Sequence, residues 1–230
     1  FDAGLARTTV KNQLGETVGV VTVVRDISDE KRLAEQKARF ITKAAHELRT
    51  PIANLKTRLF LMKRRPDKFD EHMAIAESVV NLMQNLVEHM FDLSRFERGM
   101  MEMTFEAFNL QDFLQEVIQY QAPHAERLNV VLKLELPEQS IIIDADPYRL
   151  TQVITNLIGN ALKHTRHDSN VIIQVASDDD RVLIDVIDHG AGIAKEHLEK
   201  LFQPFYQASD DQTGVGLGLA IVQEIVKAHG

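Results

Sequence analysis

Two long stretches in the first half of the chain repeat apolar residues every three or four positions. The first stretch carries Leu33, Phe40, Ala44, Leu48, Leu55, Leu59 and Met62. The second stretch carries Phe69, Met73, Ala76, Val80, Met83, Val87, Met90 and Leu93. This spacing predicts two amphipathic helices between Asp29 and about Arg98, separated near residues 64–67. We expect the methionines to fill gaps in a core rather than to bind a ligand.

The chain opens with a different pattern. Two short β-branched runs between Val10 and Val24 flank the turn residues 14–17, so we predict a hairpin. A helix should begin after Asp26, with Ser28 or Asp29 as its capping residue. A small β element therefore precedes the first long helix.

The second half of the chain alternates between helical and strand patterns, with Pro137 and Asp146-Pro147 as breaks. Helices are predicted over Leu110–Gln121, Pro147–His164 and Leu219–His229. Strands are predicted over Val130–Leu136, Ile141–Ile143, Val171–Ala176 and Val182–Ile187. We therefore expect a separate α/β domain that begins near Phe105.

One histidine interrupts the polar side of the first long helix. His46 lies two residues beyond Ala44, so it points away from the apolar face, and Thr50 returns to the side of His46 one turn later. Pro51 cannot donate a hydrogen bond to the carbonyl of Glu47 and crowds it, which predicts a bend beside His46. Without its neighbours in the sequence, His46 would be interpreted as an ordinary solvated surface histidine. The neighbouring residues favour a nucleophile instead.

The helix predicted over residues 147–164 carries aligned polar groups. Asn156, Asn160 and Lys163 recur at i, i+4 and i+7, beside a buried face. That buried face consists of Leu150, Val153, Ile154, Leu157 and Ala161. Polar groups aligned beside a core indicate a lined pocket.

Two glycine-containing segments also indicate binding. Asp188-His-Gly-Ala-Gly-Ile193 follows a predicted strand, and Gly214-Val-Gly-Leu-Gly218 opens the last helix. Backbone N–H groups at such a helix start favour anionic phosphates. The second segment is not a Walker loop, because no Gly-Lys-Ser/Thr follows, nor a dinucleotide fingerprint, because no strand immediately precedes it.

Composition narrows the function classes. The 230 residues are 44% hydrophobic, which suffices for one good core with a smaller element or for two modest domains. The chain has no cysteine, so disulfides and zinc–thiolate sites are excluded. A formal net charge of −8 with both signs mixed gives no basic stripe, so we expect no direct binding to nucleic acid.

The segment His46-Glu-Leu-Arg-Thr-Pro51 resembles the H-box of sensor histidine kinases, the ATP-dependent autokinases of two-component signalling. Four further segments resemble the ATP-binding boxes of that family, in the family's order: residues 156–165, 188–193, 202–205 and 214–218. The N-terminal hairpin with residues 26–28 resembles the last strands and exit motif of a PAS sensor domain, although a hairpin from any β domain would look similar. The resemblance to the kinases runs from Asp26 to Gly230.

The resemblance implies a multidomain fold of α and α+β type. Residues 1–28 are expected to be the C-terminal strands of a PAS-like domain. Residues 29–104 should form an antiparallel helical hairpin that dimerises into a four-helix bundle, and residues 105–230 an α/β sandwich ATP-binding domain of the GHKL (Bergerat) type. A helical hairpin packed on the remainder of its own chain is the alternative to the homodimer.

The resemblance also implies roles around His46. The imidazole attacks the γ-phosphate of ATP, and the phosphoryl group then passes to an aspartate of a response-regulator receiver domain. Glu47 matches the family's general base. Thr50 matches the residue that orients water for dephosphorylating the regulator; an ordinary helix hydroxyl bonded to the preceding turn is the alternative.

The implied cofactors are ATP and Mg²⁺. The residue matching Asn160 binds Mg²⁺ through its amide oxygen, the one matching Lys163 meets a phosphate, and the one matching Asp188 accepts the amino group of adenine. The other predicted nucleotide-binding residues are Asn156, His164, Gly190, Gly192, Ile193, Tyr206, Gly214, Gly216, Leu217 and Gly218. A lone Asp-x-Gly-x-Gly is a common turn, so its weight comes from the set. Residues 209–213, small and polar, are expected to form a mobile lid.

Two departures from the family matter. Gln207 replaces the arginine common after the box at 202–205, so a cationic contact to the γ-phosphate is missing or is supplied elsewhere. The chain also ends at Gly230, where relatives usually continue into further strands, and such a loss would expose a sheet edge.

We expect a cytoplasmic fragment, since no apolar run reaches the roughly 20 residues of a membrane span and no signal peptide opens the chain. Its first residue is Phe1, so a span upstream stays open. Two other functions compete with the kinase: a clamp ATPase of the same fold, against which the H-box argues, and a non-catalytic or phosphatase-only scaffold that binds nucleotide.

Overall fold

The structure, a computed structural model, describes residues 2–97, 100–178, 181–208 and 215–230. Its contacts divide the chain into two compact units, Phe1–Val79 and Val80–Gly230. Among the described residues, none of the helices is both long and apolar enough to cross a membrane.

The first unit opens with the predicted hairpin. Strand β1 (Ala3–Lys11) pairs antiparallel with β2 (Thr17–Asp26), so both strands are longer than the sequence pattern indicates. The Asn12 side chain closes the turn by accepting hydrogen bonds from the backbone N–H groups of Leu14 and Glu16, both at 2.9 Å. Gly15 adopts a φ of 82° in this turn.

Two long helices follow, as the apolar spacing predicts. Helix α1 (Ser28–Arg64) runs through Pro51, and α2 spans Phe69–Glu97. A short 3₁₀ helix, Pro66–Lys68, lies between them. This break confirms the predicted separation near residues 64–67. The physical reason is Pro66, which fits the first position of a new helix but cannot continue the old one.

The start of α1 corrects the predicted cap. Neither Ser28 nor Asp29 occupies the capping position, which is Ile27 and makes no side-chain cap bond. Instead, Asp26 Oδ1 accepts from the Ser28 N–H at 2.9 Å, and Ser28 Oγ accepts from the Asp2 N–H at 2.8 Å. These hydrogen bonds from Ser28 lower the pKa of Asp26. The side chain that accepts a hydrogen bond from the first backbone N–H of the helix is therefore that of Asp26, two positions before the helix, and not that of Ser28.

Both long helices keep much of their apolar surface exposed in the single chain. Ala44 and Met62 of α1 and Ala76, Val79, Leu86 and Leu93 of α2 are buried. The exposed apolar residues are Ile41, Ile52, Leu59, Phe60, Phe69, Met73, Val80, Leu82, Val87 and Phe91. Apolar surface of this extent is typical of a face that another helix covers.

The second unit contains the predicted α/β domain. Its elements are β3 (Glu106–Asn109), α3 (Leu110–Arg127), β4 (Val131–Glu135), β5 (Ile142–Ala145), α4 (Pro147–His164), β6 (Asn170–Ser177), β7 (Val182–Ile187), α5 (Lys195–Leu198) and α6 (Gly218–His229). The sequence pattern missed β3 and α5, which have four residues each and too little length for periodicity. It also ended α3 at Gln121, six residues early.

The strands form two small sheets covered by helices. In the larger sheet, β4 pairs parallel with β6, and β6 pairs antiparallel with β7. Strand β3 pairs antiparallel with β5. The most buried large side chains come from helices α3, α4 and α6, from strand β6 and from the residue before α6: Leu110, Leu114, Ile154, Ile158, Val171, Ile173, Leu217, Ile221 and Ile225. The predicted α/β sandwich is confirmed.

One histidine of α2 makes stability depend on pH. Burial lowers the pKa of His89, and the charges of Asp92 and Glu88 oppose that shift. The unfolded chain therefore binds a proton more readily at this site than the folded chain. We expect the contribution of neutral His89 to the free energy of unfolding to be complete at pH values above its ordinary pKa of 6.5. This contribution is lost as the pH falls below 6.5. Urea unfolding at several pH values measures this, and His89→Gln should flatten the dependence; an equal slope in that variant contradicts the assignment.

Candidate functional site

His46 lies on the solvent side of α1. Its side chain is exposed, whereas Ala44 two residues earlier is 3% exposed. Glu47 beside it is half-buried, and Thr50 one turn later is exposed. The predicted orientation of His46 is confirmed, so its imidazole is open to a reaction partner while Glu47 is held near it by the helix. The bend at Pro51, which is buried, stays a prediction.

Helix α4 places the predicted polar residues as a strip beside its core face. Asp146 caps the helix, accepting from the Arg149 N–H at 3.0 Å, and Pro147 is its first residue. Asn156 and Asn160 are half-buried, while Lys163 and His164 are exposed at the C-terminal end. The buried face is formed by Val153, Ile154, Ile158, Ala161 and Leu162.

The Asp188 turn closes against the end of α4. Gly190 donates its N–H to Asp188 Oδ1 at 2.7 Å, and His189 donates its N–H to Thr165 Oγ1 at 3.3 Å. A Cβ on Gly190 would clash with the His164 carbonyl oxygen and lie 2.8 Å from Asp188 Oδ1. Glycine is therefore required for this close approach. The exposed carboxylate of Asp188 keeps Oδ2 as a further acceptor.

The start of α6 closes against the middle of α4. A Cβ on Gly218 would lie 2.9 Å from Asn156 Oδ1, so the helix start and the Asn156 amide are in direct contact. Two residues earlier, Gly216 has a φ of 70° and its carbonyl accepts from the Phe205 N–H at 2.7 Å. Leu217 is 1% exposed, so its side chain packs into the core beside this site.

The N-terminus of α6 presents backbone N–H groups that the helix itself does not use. Its first helical hydrogen bond runs from the Ile221 N–H to the Leu217 carbonyl at 3.1 Å, so the N–H groups of residues 218–220 have no intrahelical acceptor. These groups and the positive end of the helix favour phosphate oxygens. Because this start lies against Asn156, these backbone N–H groups and the polar strip of α4 form one candidate site.

Other predicted residues have mixed positions. Gly192 has a φ of 73°, and Ile193 is 51% exposed. Tyr206 is half-buried and its hydroxyl lies 2.6 Å from Nδ1 of His197, a residue of α5 that no sequence motif indicated. Gly214 and the predicted lid at 209–213 lie outside the described residues.

The donor set fits a magnesium ion that arrives with phosphates. Mg²⁺ in nucleotide sites takes one or two protein oxygens and completes its shell with phosphates and water. The Asn160 amide supplies such an oxygen on the same strip as Asn156. Among the described residues there is no cluster of three His, Asp or Glu that could hold a metal alone.

Gly216 gives a sharp test of this backbone geometry. A Cβ there would lie 2.6 Å from the Tyr206 carbonyl oxygen and 2.8 Å from the Phe205 carbonyl carbon, at a positive φ. We expect Gly216→Ala to destabilise the fold by about 1–3 kcal/mol and to weaken nucleotide binding. Gly159→Ala is the matched control, because nothing lies within 4 Å of its added Cβ and helix propensity favours alanine. Urea unfolding and nucleotide titration compare the two; equal stability of both variants contradicts the geometry.

Comparison with known protein families matches the region of the two long helices and most of the α/β domain. Residues 36–99 match the His Kinase A (phospho-acceptor) domain, and residues 145–230 match the Histidine kinase-, DNA gyrase B-, and HSP90-like ATPases. The chain belongs to the sensor histidine kinases. In this histidine kinase the first match contains His46, and the second begins at the end of β5 and contains α4, the Asp188 turn and α6.

Named relatives include a sensor protein and a histidine kinase of known structure. The alginate biosynthesis sensor protein KinB of Pseudomonas aeruginosa is 32% identical over 94% of this chain, which spans 37% of the length of KinB. The solved histidine kinase AdeS of Acinetobacter baumannii has a TM-score of 0.66 and 29% identity, covering 80% of this chain and 86% of AdeS. Full-length ShkA in complex with AMPPNP has a TM-score of 0.60 and 26% identity, covering 83% of this chain and 41% of ShkA.

Proposed function

We propose that this histidine kinase phosphorylates His46 with ATP and passes the phosphoryl group to an aspartate of a response regulator. The observation that carries the proposal is the exposed His46 beside the half-buried Glu47, on a chain whose ATPase domain closes Gly218 against Asn156. A clamp ATPase of the same fold has no use for an exposed histidine beside a carboxylate.

The first step is a phosphoryl transfer to imidazole. The neutral ring of His46 attacks the γ-phosphorus, a nitrogen–phosphorus bond forms, and the bond from that phosphorus to the β,γ-bridging oxygen breaks to release ADP. Glu47 accepts the proton that the ring loses. Because the transition state carries little covalent assistance from the protein, the rate depends on how well the nucleotide and His46 are aligned.

In this proposal the α/β domain binds the adenine base and the phosphates of the nucleotide. Asp188 accepts the amino group of adenine, and the backbones of Gly190 and Gly192 allow the base to approach. The backbone of Gly216, Leu217 and Gly218 lines the phosphates at the start of α6, where the N–H groups of residues 218–220 bind phosphate oxygens. The remaining contacts come from Asn156, Lys163, His164, Ile193 and Tyr206.

Asn160 would hold Mg²⁺, which neutralises charge on the phosphates when bound. The AMPPNP complex of ShkA supports a triphosphate as the ligand.

The second step serves a partner protein. Phosphohistidine is labile, so the group moves from His46 to the carboxylate of a receiver domain, forming an acyl phosphate and freeing the imidazole. Thr50 is exposed one turn from His46, and in this proposal it orients a water that hydrolyses the acyl phosphate. Kinase and phosphatase activities would then share one face of α1.

We further propose a homodimer with the domain limits 1–28, 29–104 and 105–230 given above. The exposed apolar residues of α1 and α2 support the dimer, because a second helical hairpin would cover them. The exposed hairpin β1–β2 fits the end of a PAS-like domain. We place the work of this part of the protein in the cytoplasm.

Incubation with γ-labelled ATP and Mg²⁺ tests the proposal. We expect label that is lost in acid and kept in base, and its transfer to an added receiver domain. Nucleotide binding without label points instead to the scaffold, an outcome that the glutamine at position 207 makes worth scoring. Sedimentation at several concentrations tests the dimer in the same preparation.

A further inference from the structure

A half-buried ion pair joins the end of α2 to the start of α4. Asp92 lies on the last turns of α2, and Nη1 of Arg149 donates to its two carboxylate oxygens at 3.0 and 3.1 Å. Gln152 Nε2 donates to Asp92 Oδ2 at 2.8 Å, and its Oε1 accepts from Arg149 Nη1 at 3.0 Å. The side chains of Asp92 and Arg149 are only 13% and 12% exposed.

The first turn of α4 is fixed from several sides at this point. The Arg149 guanidinium lies over the Tyr148 ring at 5.3 Å, and its backbone N–H bonds to Asp146. Asp146 is itself buried; its Oδ2 accepts from the Thr104 N–H at 2.9 Å, and its own N–H donates to His229 Nε2 at 3.1 Å. The turn that receives Asp92 is therefore rigidly held by its own domain.

Helix α4 carries this fixed point to the nucleotide. Arg149 and Asn160 belong to one 18-residue helix, so they move as a rigid body. Asn156 lies about 10 Å and Asn160 about 16 Å along the helix from Arg149 at 1.5 Å per residue. A small change of angle at Arg149 thus becomes a displacement of the phosphates.

We propose that Asp92 is a positioning residue for phosphoryl transfer. With Arg149 and Gln152 it sets the angle between the end of α2 and the nucleotide-binding helix α4. This angle in turn sets the alignment of the γ-phosphate with His46. This inference rests on the proposed kinase function. None of the three residues belongs to the predicted nucleotide-binding set, so their loss should affect alignment and leave affinity for ATP intact.

The expected signature is a fall in kcat without a rise in KM. Misplacement of reacting groups by about 1 Å can cost a hundredfold in rate, whereas the binding contacts on α4 and α6 are untouched. Asp92→Asn keeps the shape of the side chain and removes its charge. Arg149→Gln removes the partner, and the double variant Asp92→Arg with Arg149→Asp restores a pair of opposite charges.

We therefore measure initial rates of histidine phosphorylation against ATP concentration, affinity for a fluorescent ATP analogue, and thermal unfolding. Asp92→Asn and Arg149→Gln should each lower kcat about tenfold with KM and analogue affinity within twofold of native, and the double variant should regain most of the loss. Glu224→Gln is the control, because it breaks the partly exposed pair with Lys227 in the same domain and should leave both rate and affinity unchanged. A loss of affinity that matches the loss of rate, an unchanged or higher kcat, or a double variant worse than both single variants overturns the inference.

A distance measurement separates this inference from the proposed function. The chain has no cysteine, so single cysteines introduced at the exposed positions Gln84 of α2 and Tyr120 of α3 label cleanly with nitroxides. The distribution of distances between the two nitroxides should broaden in Asp92→Asn and narrow again in the double variant Asp92→Arg with Arg149→Asp. An unchanged distribution overturns the positioning role even if the native protein phosphorylates itself. Conversely, broadening in a protein that forms no phosphohistidine keeps the mechanical linkage and removes only the kinase proposal.

Discussion

The His46→Gln variant is expected to incorporate no label from γ-labelled ATP, a loss of about a hundredfold or more against the native chain. Glutamine keeps a polar side chain of similar reach at an exposed helical position, so the fold should be unaffected. It lacks a nitrogen lone pair able to form the phosphoramidate bond. The measurement is acid-labile, base-stable radioactivity retained on the protein, with nucleotide affinity measured alongside.

Two controls make this result specific to His46. His124→Gln replaces another exposed histidine, on α3, and should keep full labelling. Nucleotide affinity should be equal in the native chain and both variants, because His46 belongs to no element of the nucleotide site. Label that persists in His46→Gln would move the acceptor to another residue and remove the mechanism proposed for Glu47.

Asp188→Asn is expected to weaken ATP binding by about tenfold to a hundredfold, the effect of turning one hydrogen-bond acceptor into a donor facing the adenine amino group. The variant is nearly isosteric and keeps Oδ1, which accepts from the Gly190 N–H at 2.7 Å, so the turn should survive. Titration with ATP and with GTP measures the effect. GTP carries an oxygen where adenine carries the amino group, so the variant should lose its preference for ATP.

The matched control for this variant is Asp144→Asn. Asp144 is an exposed carboxylate on β5 of the same domain, and the variant removes the same charge. Its ATP affinity should equal that of the native chain. An equal loss in both variants would assign the effect of Asp188→Asn to net charge rather than to recognition of the base.

The sequence predicted most reliably the elements in which apolar periodicity is long. Helix α4 and strand β7 have the predicted limits, and α6 begins one residue before its predicted start. Helix α3 shows what such patterns miss: Pro123 favours an end at Gln121, but the helix continues to Arg127 because Ala125 packs into the core at 2% exposure. Tertiary packing outweighs the local cost of the proline.

The candidate site was predictable where its residues share a local pattern. The polar strip of α4 and the glycines at 190, 216 and 218 follow from spacing and from backbone requirements that a sequence displays directly. The hydrogen bond between His197 and Tyr206 and the pair of Asp92 with Arg149 do not. Asp92 and Arg149 are 57 residues apart in the chain, and only folding brings them together.

The uninterrupted course of α1 sets a phase relation between the hairpin and the phosphoacceptor. Eighteen residues separate Ser28, bonded to Asp2 and Asp26, from His46, and this interval equals about five turns of an α-helix. The imidazole therefore projects from the same side of the helix as the residue that fastens the hairpin. We therefore expect a rotation of the hairpin about the helix axis to turn His46 in the same sense. One inserted residue would change the direction of His46 by about 100°, and seven inserted residues by only about 20° in the opposite sense.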